Sequence, residues 1–398
     1  MIDLRRLERP AGPAGLPHRP TVPPAVKPLL AVWPTFAGLG TLLIVWLDRH
    51  GIPADTELFI EAGRRLLSAD GINVYADPII QAGASELGFY ALMDWVERLL
   101  RVPRFQLISV VLQLAVTFGV IGLVTLPFER CTRSAPRALL LLAGVVAVAQ
   151  GFGSQLYLAG HPAQFAIVVL WTLAARASLR GATTQAALLL ALSAAWETWG
   201  VLGVPVLLLA PSLQAAAKGA VVAGAASVAA YAPFAIFGDF AMHRFAWTVR
   251  PQSALVPLLG VDAPFGWRLR LAQGAATLVV AGLVAWRLRG HAHGLWAVPV
   301  TIEAVRLLFD PVGADYYWIP VRVLALVAIA AFVAARDGSG LYIWPLLYPA
   351  FLPGAPQWLM AAAVLVGVAM VVVDSARAVE PRPPQPTEGD DRVLTAVG

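Results

Sequence analysis

The sequence predicts an all-α protein that crosses a membrane many times. Hydrophobic residues make up 59% of its 398 residues, and charged residues make up only 13%. Soluble domains are typically about 45–50% apolar and about 25% charged. Apolar runs long enough to cross a bilayer, which takes about 20 residues per helix, recur along the chain. This composition excludes disordered, collagen-like and coiled-coil proteins.

The apolar runs define the elements in order. The first run, residues 28–47, follows a segment rich in Pro and Arg, and we expect residues 1–26 to form a disordered cytoplasmic tail. Residues 27–373 should form one membrane-embedded domain, and the polar residues 374–398 should form a second disordered tail. The later apolar runs lie at 105–126, 138–152, 163–178, 184–210, 217–237, 269–286, 295–309, 318–335, 340–352 and 357–373.

The run 184–210 contains a polar break, WETWG, and has the length of one tilted helix or of two short ones. Excess Lys and Arg mark the cytoplasmic side of a membrane protein. One helix would place Lys218 and the turn WRLRGHAHG on differing sides. A helical hairpin, 184–196 and 199–210, returns every basic short loop and both tails to the cytoplasm. The sequence therefore predicts about 12 membrane segments, two of them short.

This topology places four polar stretches on the outer side of the membrane: 48–103, 153–162, 238–267 and 309–318. Within the first stretch, residues 85–100 have apolar side chains at helical spacing, with Asp94, Glu97 and Arg98 opposite them. This pattern is typical of a helix that lies in the membrane interface with its charged face toward water.

The most informative motif follows the first membrane run. It has the form D-x3-aromatic-x2-A-x3-L-L-x3-G-x3-Y, in which Asp55 comes first, Phe59 and Ala62 follow, and Tyr75 comes last. The motif resembles the first outer loop of the bacterial polyprenol-phosphate-sugar-dependent mannosyltransferases of the GT-C superfamily, whose actinobacterial members build phosphatidylinositol mannosides and related glycolipids. More loosely, the order of helices and outer loops is similar over the whole chain.

The resemblance implies a GT-C-like fold and a glycosyltransferase that moves a sugar, mannose first, from a polyprenyl-phosphate donor to a lipid or glycan acceptor. It also implies that Asp55 is the catalytic base and that the site lies on the extracytoplasmic face of a bacterial plasma membrane. The chain differs from the family in two places. It reads AGHPAQ, with His161 and Gln164, where Gly-Gln is frequent, and it has Glu197 where a Lys is frequent.

The chemistry of such a transfer directs attention to particular residue types. A carboxylate at the membrane surface can take the proton of the acceptor hydroxyl, and cations can hold the phosphate leaving group. Arg binds phosphate bidentately, and charged side chains at membrane depth are costly unless they face a polar cavity. The candidate substrate-binding residues are His161, Glu197, His243, Arg244, Arg250, Tyr316, Tyr317 and Arg322, with Arg306 as a further candidate cation.

Other classes of site have no signature in the sequence. No cluster of His, Asp and Glu has metal-ligand spacing, and we expect neither a metal nor a cofactor. No P-loop or G-x-G-x-x-G motif follows a strand, which disfavours a nucleotide-sugar donor. The basic residues are scattered between apolar runs, so the expected partners are the donor, the acceptor and membrane lipid, with no nucleic acid. The single cysteine, Cys131, excludes an internal disulfide.

Structural roles stay open for several candidates. Asp55 is also well placed to cap the helix that follows it, and Glu86 and Asp94 are alternative bases. Arg306 has an ion-pair partner three residues earlier, at Glu303.

Two other functions also stay open. One is a transporter or flippase for a lipid or an anionic solute, with Glu197, Glu303, Arg306 and Arg322 along its pathway. The other is a scaffold subunit that keeps the fold and has an inactive site.

Overall fold

The computed structural model describes residues 26–47, 54–102, 105–130, 134–336, 351–352 and 354–377, and most of these are helical. The helices are α1 (Val26–Leu47), α2 (Ala54–Leu66), α3 (Ala84–Leu100), α4 (Gln106–Thr125), α5 (Arg137–Ala149), α6 (Phe152–Ala159), α7 (Ala163–Leu179), α8 (Thr183–Trp196), α9 (Leu213–Phe237), α10 (Val256–Leu259), α11 (Trp267–Arg287), α12 (Gly294–Leu308), α13 (Ile319–Ala335) and α14 (Gln357–Arg377). The 3-10 segments are Gly71–Ala76, Leu126–Arg130, Thr198–Leu209, Met242–Arg244 and Asp315–Trp318.

Among the described residues, six helical stretches are long and apolar enough to cross a membrane: Gln106–Glu129, Arg137–Ala159, Leu213–Phe237, Trp267–Arg287, Asp315–Ala335 and Gln357–Arg377. The first combines α4 with the 3-10 segment after it, the second combines α5 with α6, and the fifth combines a 3-10 segment with α13. Shorter apolar helices lie at Val32–Leu43, Ala163–Leu179, Thr183–Trp196 and Thr198–Leu209. The predicted tails lie outside the described residues, except that α14 continues to Arg377 and α1 begins at Val26. Most of the predicted run 340–352 also lies outside them.

The predicted break in the run 184–210 is present. Helix α8 ends at Trp196, Glu197 is extended (φ −157°, ψ 146°), and a 3-10 segment begins at Thr198. The segment runs back along α8, because the Ser193 hydroxyl donates a hydrogen bond of 2.9 Å to the Gly200 carbonyl oxygen.

The two arms of this break, α8 and the segment Thr198–Leu209, also approach each other at their far ends. Pro211 Cγ lies 3.6 Å from the position that a Cβ atom on Gly181 would take. Gly181 precedes α8 and Pro211 follows Thr198–Leu209, so the two arms are antiparallel and form a hairpin.

Helix α3 was expected to turn its charged face to water, and for Asp94 and Glu97 this prediction is wrong. Both side chains are buried. Asp94 binds the Arg64 guanidinium, with Nε and Oδ2 2.9 Å apart. Glu97 accepts hydrogen bonds from the backbone N–H groups that begin α4, including that of Leu107 at 2.8 Å, where a carboxylate also meets the helix dipole favourably. The exposed face is mainly apolar and carries Leu92, Trp95, Leu99 and Leu100, and of the three predicted charged residues only Arg98 is exposed there.

The turns predicted to be cytoplasmic meet at one end of the helices. The Glu129 carboxylate pairs with Arg176 and Arg180 at 2.6 and 2.8 Å. Arg289 Nε donates to the Ala210 carbonyl oxygen at 2.9 Å. These contacts join four turns in two pairs: the turn after α4 with the turn between α7 and α8, and the turn before α9 with the turn between α11 and α12.

The stretches predicted to be outer contain two short strands, so the all-α prediction is correct only for the helical body. Strands β1 (Trp247–Thr248) and β2 (Pro264–Phe265) are antiparallel. Trp247 pairs with Phe265, and Thr248 pairs with Pro264. This β-hairpin restrains the loop between α9 and α11.

Helix α12 lies at the centre of the helical body. All but one of its residues are buried, which is the pattern of a helix surrounded by protein. Trp171 of α7 and Trp296 of α12 are fully buried in the same core cluster. The structure thus carries the charged pair of α12, Glu303 and Arg306, deep inside the protein.

The topology can be tested by cysteine labelling in a Cys131→Ala background. We expect Ala292→Cys, in an exposed turn, to react with a membrane-impermeant maleimide only after the cells are permeabilised. Leu258→Cys, at a position that is 78% exposed on the predicted outer side, should react in intact cells. Reaction of Ala292→Cys in intact cells would overturn the predicted hairpin topology.

Candidate active site

The stretches predicted to be outer enclose one cavity of about 500 Å³. Its walls come from α2, α3, the turn before α7, the break after α8, the β-hairpin loop, α11 and α12. The polar and charged residues that line it are Asp55, Gln81, Glu86, His161, Gln164, Glu197, Thr198, Arg270, Gln273, Arg306, Asp310 and Tyr317. Asp55, His161, Glu197 and Tyr317 are among the residues selected from the sequence, so segments distant in the chain bring them together.

Asp55 and His161 form a contact pair at one side of the cavity. His161 Nε2 lies 3.6 Å from Asp55 Oδ2. Asp55 stands inside the first turn of α2, one residue after its start at Ala54, and also lines the cavity. The His161 imidazole lowers the pKa of the Asp55 carboxyl below its ordinary value. Asp55 therefore stays ionised throughout the neutral range, in the form that can accept a proton.

Two features hold the His161 ring in position. Tyr316 stacks on it with ring centres 5.2 Å apart and planes 7° apart, and Phe59 meets it edge-on at 5.4 Å. The preceding residue, Gly160, has φ +73°, and a Cβ there would lie 2.7 Å from the backbone nitrogen of Thr56. Glycine at this position therefore lets the turn approach α2 closely enough for the pair to form.

Arg306 of α12 lines the cavity, and its guanidinium group is hydrogen-bonded to other residues of the same chain. Its Nε donates to Glu303 Oε2 at 3.0 Å, and its Nη2 donates to Gln164 Oε1 at 3.1 Å. The guanidinium carbon also lies 4.2 Å from the centre of the Trp199 ring. The ion pair that the sequence left open for Arg306 is present, and the same side chain still lines the cavity.

Arg270, at the start of α11, is the second cation of the cavity. Its guanidinium carbon lies 3.9 Å from the centre of the Trp247 ring, a cation–π contact with the β-hairpin. Its Nη1 lies 3.4 Å from Asp310 Oδ2, and the same oxygen lies 3.8 Å from Arg306 Nη1. Asp310 thus lies between the two guanidinium groups.

Glu197 and Glu86 contribute two carboxyl groups to another wall. Glu197 forms a backbone bridge to Ala82, and Glu86 Oε1 accepts a 3.3 Å hydrogen bond from the Ala163 N–H at the start of α7. Burial, and then the neighbouring Glu197 carboxylate, raises the pKa of Glu86 well above its ordinary value. Glu86, weighed from the sequence as an alternative base, is held on the cavity wall by the start of α7.

Apart from Arg306, the cations predicted to bind phosphate do not line the cavity. His243, Arg244 and Arg250 are exposed, and none of the three lines the cavity. Arg250 instead donates its backbone N–H to the Pro311 carbonyl oxygen at 2.8 Å. Arg322 is buried in α13 and does not line the cavity either.

Arg270 was missed by the sequence analysis. The signal was present, because Arg268 and Arg270 stand at the outer end of a membrane helix in WRLRLAQG. Asp94, the other alternative base, is engaged by Arg64 and does not line the cavity.

The cavity combines groups suited to acid–base chemistry and to anion binding. Within the described ranges, no group of three or more His, Cys, Asp and Glu residues could hold a metal ion. Comparisons with protein-family models, with curated proteins and with solved structures give no match. The cavity brings together a carboxylate beside a histidine, two guanidinium groups and several aromatic side chains.

Proposed function

We propose that the protein is a glycosyltransferase that moves a sugar, mannose first, from a polyprenyl phosphate to a lipid or glycan acceptor. The observation that carries the proposal is the position of the Asp55–His161 pair and of Arg270 on the walls of one cavity. The fold we propose is GT-C-like. It has about 12 membrane segments, which include the six long helices, the shorter apolar ones and the run 340–352.

The proposed reaction is a single displacement at the anomeric carbon. Asp55 takes the proton of the acceptor hydroxyl, and the hydroxyl oxygen forms a bond to the anomeric carbon. The bond from that carbon to the phosphate oxygen breaks, and the phosphate leaves with the electron pair. The products are the glycosylated acceptor, with inverted configuration at the anomeric carbon, and the polyprenyl phosphate.

Arg270 is the better candidate for binding the phosphate. Arg306 is engaged by Glu303 and Gln164. Arg270 is engaged through Nη1 by Gln273 and Asp310, but its Nε has no hydrogen-bond partner in the described part of the chain. A guanidinium with a free N–H group can form a charge-assisted hydrogen bond to a phosphate oxygen. Such a bond grows stronger as negative charge develops on the leaving group.

The apolar part of the cavity suits a lipid-linked donor. Leu271, Ala275 and Leu278 of α11 face Val201 and Leu202 of the hairpin across it. Leu271 is 68% exposed, so this side is open laterally at membrane depth. An isoprenoid chain can lie there while its phosphate reaches Arg270.

We place the reaction on the extracytoplasmic face of a bacterial plasma membrane. The support is that the cavity lies among the stretches predicted to be outer, while the basic turns around Glu129 and Arg289 meet at the other end of the helices.

A transporter for a lipid or anionic solute is the second candidate function. The observation that favours it is the buried Glu303–Arg306 pair within α12, since charges at membrane depth often line a translocation pathway. The two functions differ in their products. Only the transferase forms a new glycosidic bond when the purified protein, a polyprenyl-phosphate sugar and an acceptor are mixed in a bilayer.

Asp55→Asn should abolish most of the transfer activity and leave the fold intact. A positioned general base typically contributes about 10²–10⁴-fold in rate, and the Asp55 side chain is 57% exposed, so little stability depends on it. The measurement is sugar transfer by purified protein in lipid nanodiscs. Glu57→Gln, an exposed carboxylate of the same helix outside the cavity, is the matched control and should retain activity. A well-folded Asp55→Asn protein with wild-type turnover would refute the assignment.

The pH dependence of kcat/KM should report the Asp55–His161 contact. A base works only when ionised, so activity falls as pH falls through its pKa. His161 holds the pKa of Asp55 below its ordinary value, and the acidic limb of the wild-type profile should therefore lie below about pH 4. In His161→Gln the limb should move up toward that pH. Activity regained on return to pH 7 would separate titration from unfolding, and an unmoved limb would contradict the coupling.

Arg270→Ala should weaken use of the donor more than use of the acceptor. Losing a charge-assisted hydrogen bond to phosphate costs about 1.5–3 kcal/mol, which corresponds to roughly a 10- to 100-fold loss. Arg250→Ala serves as the control because Arg250 is exposed outside the cavity, and it should leave both substrates unaffected. An equal loss for donor and acceptor in Arg270→Ala would indicate general damage to the fold.

A further inference from the structure

One wall of the cavity carries buried hydrogen-bond acceptors without a well-formed hydrogen bond. The three atoms are Gln81 Oε1, Glu86 Oε2 and Glu197 Oε2, none of which has a hydrogen bond of ordinary geometry in the described part of the chain. The Glu197 carboxyl also lies beside the indole N–H of Trp199. All three residues line the cavity. Buried polar atoms are nearly always paired, so three unpaired acceptors on one wall indicate a ligand that supplies donors.

The Gln81 amide group is oriented so that its nitrogen is hydrogen-bonded to the protein and its oxygen is left unpaired. Its Nε2 donates to the Pro78 carbonyl oxygen at 2.6 Å and to the Met242 carbonyl oxygen at 3.1 Å. Both donors of the amide are therefore used by the protein. The remaining oxygen can serve only as an acceptor for another molecule.

Glu86 is held in a similar way. One carboxyl oxygen accepts the Ala163 N–H at 3.3 Å, and the whole residue is buried. The second oxygen is left unpaired. Because the side chain stays fixed by α7, its free oxygen has a defined position on the wall.

We propose that Gln81, Glu86 and Glu197 together bind the hydroxyl groups of the transferred sugar. The proposal rests on the transferase function described above, and it assigns to this wall the choice of sugar. A hexose carries several O–H donors around its ring, which matches a wall of several acceptors. The guanidinium groups cannot fill this role, since Arg has no acceptor and no affinity for hydroxyl hydrogens.

The wall lies where the reacting sugar must be. Glu86 is tied to Ala163, two residues after His161, and therefore adjoins the side of the base. Glu197 is two residues before Trp199, whose ring lies under the Arg306 guanidinium, and therefore adjoins the side of the cations. In a displacement with inversion the anomeric carbon lies between the acceptor hydroxyl and the leaving phosphate, so the ring occupies this interval.

A cation is a poorer match for the same wall. The Arg306 guanidinium is 4.2 Å from the Trp199 ring, and Arg270 lines the same cavity. These guanidinium groups repel a second cation but not a neutral sugar. The acceptors are thus selective for uncharged O–H donors.

Binding of modified donors tests the proposal. The probe is a phosphonate analogue of short-chain isoprenyl-phosphate mannose, which cannot transfer its sugar, together with versions in which one sugar hydroxyl at a time is replaced by hydrogen. Calorimetry with full-length protein in nanodiscs should give a roughly 10- to 100-fold weaker Kd for at least one deoxy analogue. Glu86→Gln and Glu197→Gln should each weaken binding of the parent probe to a similar degree. Each variant should then show little further loss with the deoxy analogue that lacks its partner hydroxyl.

The control variant is Glu97→Gln, a buried carboxylate of the same helix that also accepts N–H groups at the start of a neighbouring helix but does not line the cavity. It should bind every probe as the wild type does. Thermal unfolding of each variant separates loss of fold from loss of recognition, and the two Gln variants test the wall independently.

The outcomes distinguish the two proposals. If every deoxy analogue binds the variants with the same penalty as it binds the wild type, the wall does not recognise the sugar, even if transfer from the true donor is observed. If the wild type binds the probes with the expected penalties but forms no glycosidic bond from the true donor, the proposed function fails and the wall remains a sugar site. Binding of methylammonium that competes with the probe at this wall would also overturn the inference.

Discussion

The extended backbone at Glu197 is the constraint on which the cavity depends. A chain that turns inside a bilayer must satisfy its freed N–H and C=O groups within the protein. Here the Gly83 N–H donates to the Trp196 carbonyl oxygen at 2.8 Å, and the Trp171 Nε1–H donates to the Gly200 carbonyl oxygen at 2.9 Å. The first bond ties the long outer loop to the break, so α3 must pass beside the hairpin. The wall that carries Glu86 and Glu197 follows from that bond.

The charged groups of the cavity fall into two kinds. Arg306 and Glu303 neutralise each other, and Asp310 is shared between Arg306 and Arg270. These groups hold α11 and α12 together in surroundings of low dielectric, where an unpaired charge would be expensive. Arg270 Nε and the unpaired oxygens of Gln81, Glu86 and Glu197 take no part in this network. A site that neutralised every charge internally would have nothing left to offer a substrate.

The sequence predicted the features that depend on local pattern. Run length and charge bias located the helices and the break at Glu197, and the motif around Asp55 located one side of the cavity. The sequence could not show which face of α3 is buried, because in a membrane protein an apolar face can point toward lipid as well as toward a core. The carboxylate of Glu97 is buried for a tertiary reason, the start of α4. The sequence analysis missed Arg270 because its side chain is positioned in the cavity by Trp247 and Asp310, which are distant from it in the chain.

Helix α3 contributes residues to two separate surfaces of the protein, the cavity wall and an exposed apolar face. Glu86 stands on the cavity wall, and Trp95, nine residues later on the same helix, is 53% exposed on the apolar face. At 1.5 Å per residue they are roughly 14 Å apart along a rigid rod. The exposed apolar face of α3 suits the boundary between headgroups and acyl chains of a bilayer. In the proposed transferase, α3 would set the height above the acyl chains at which a lipid-borne hydroxyl enters the cavity.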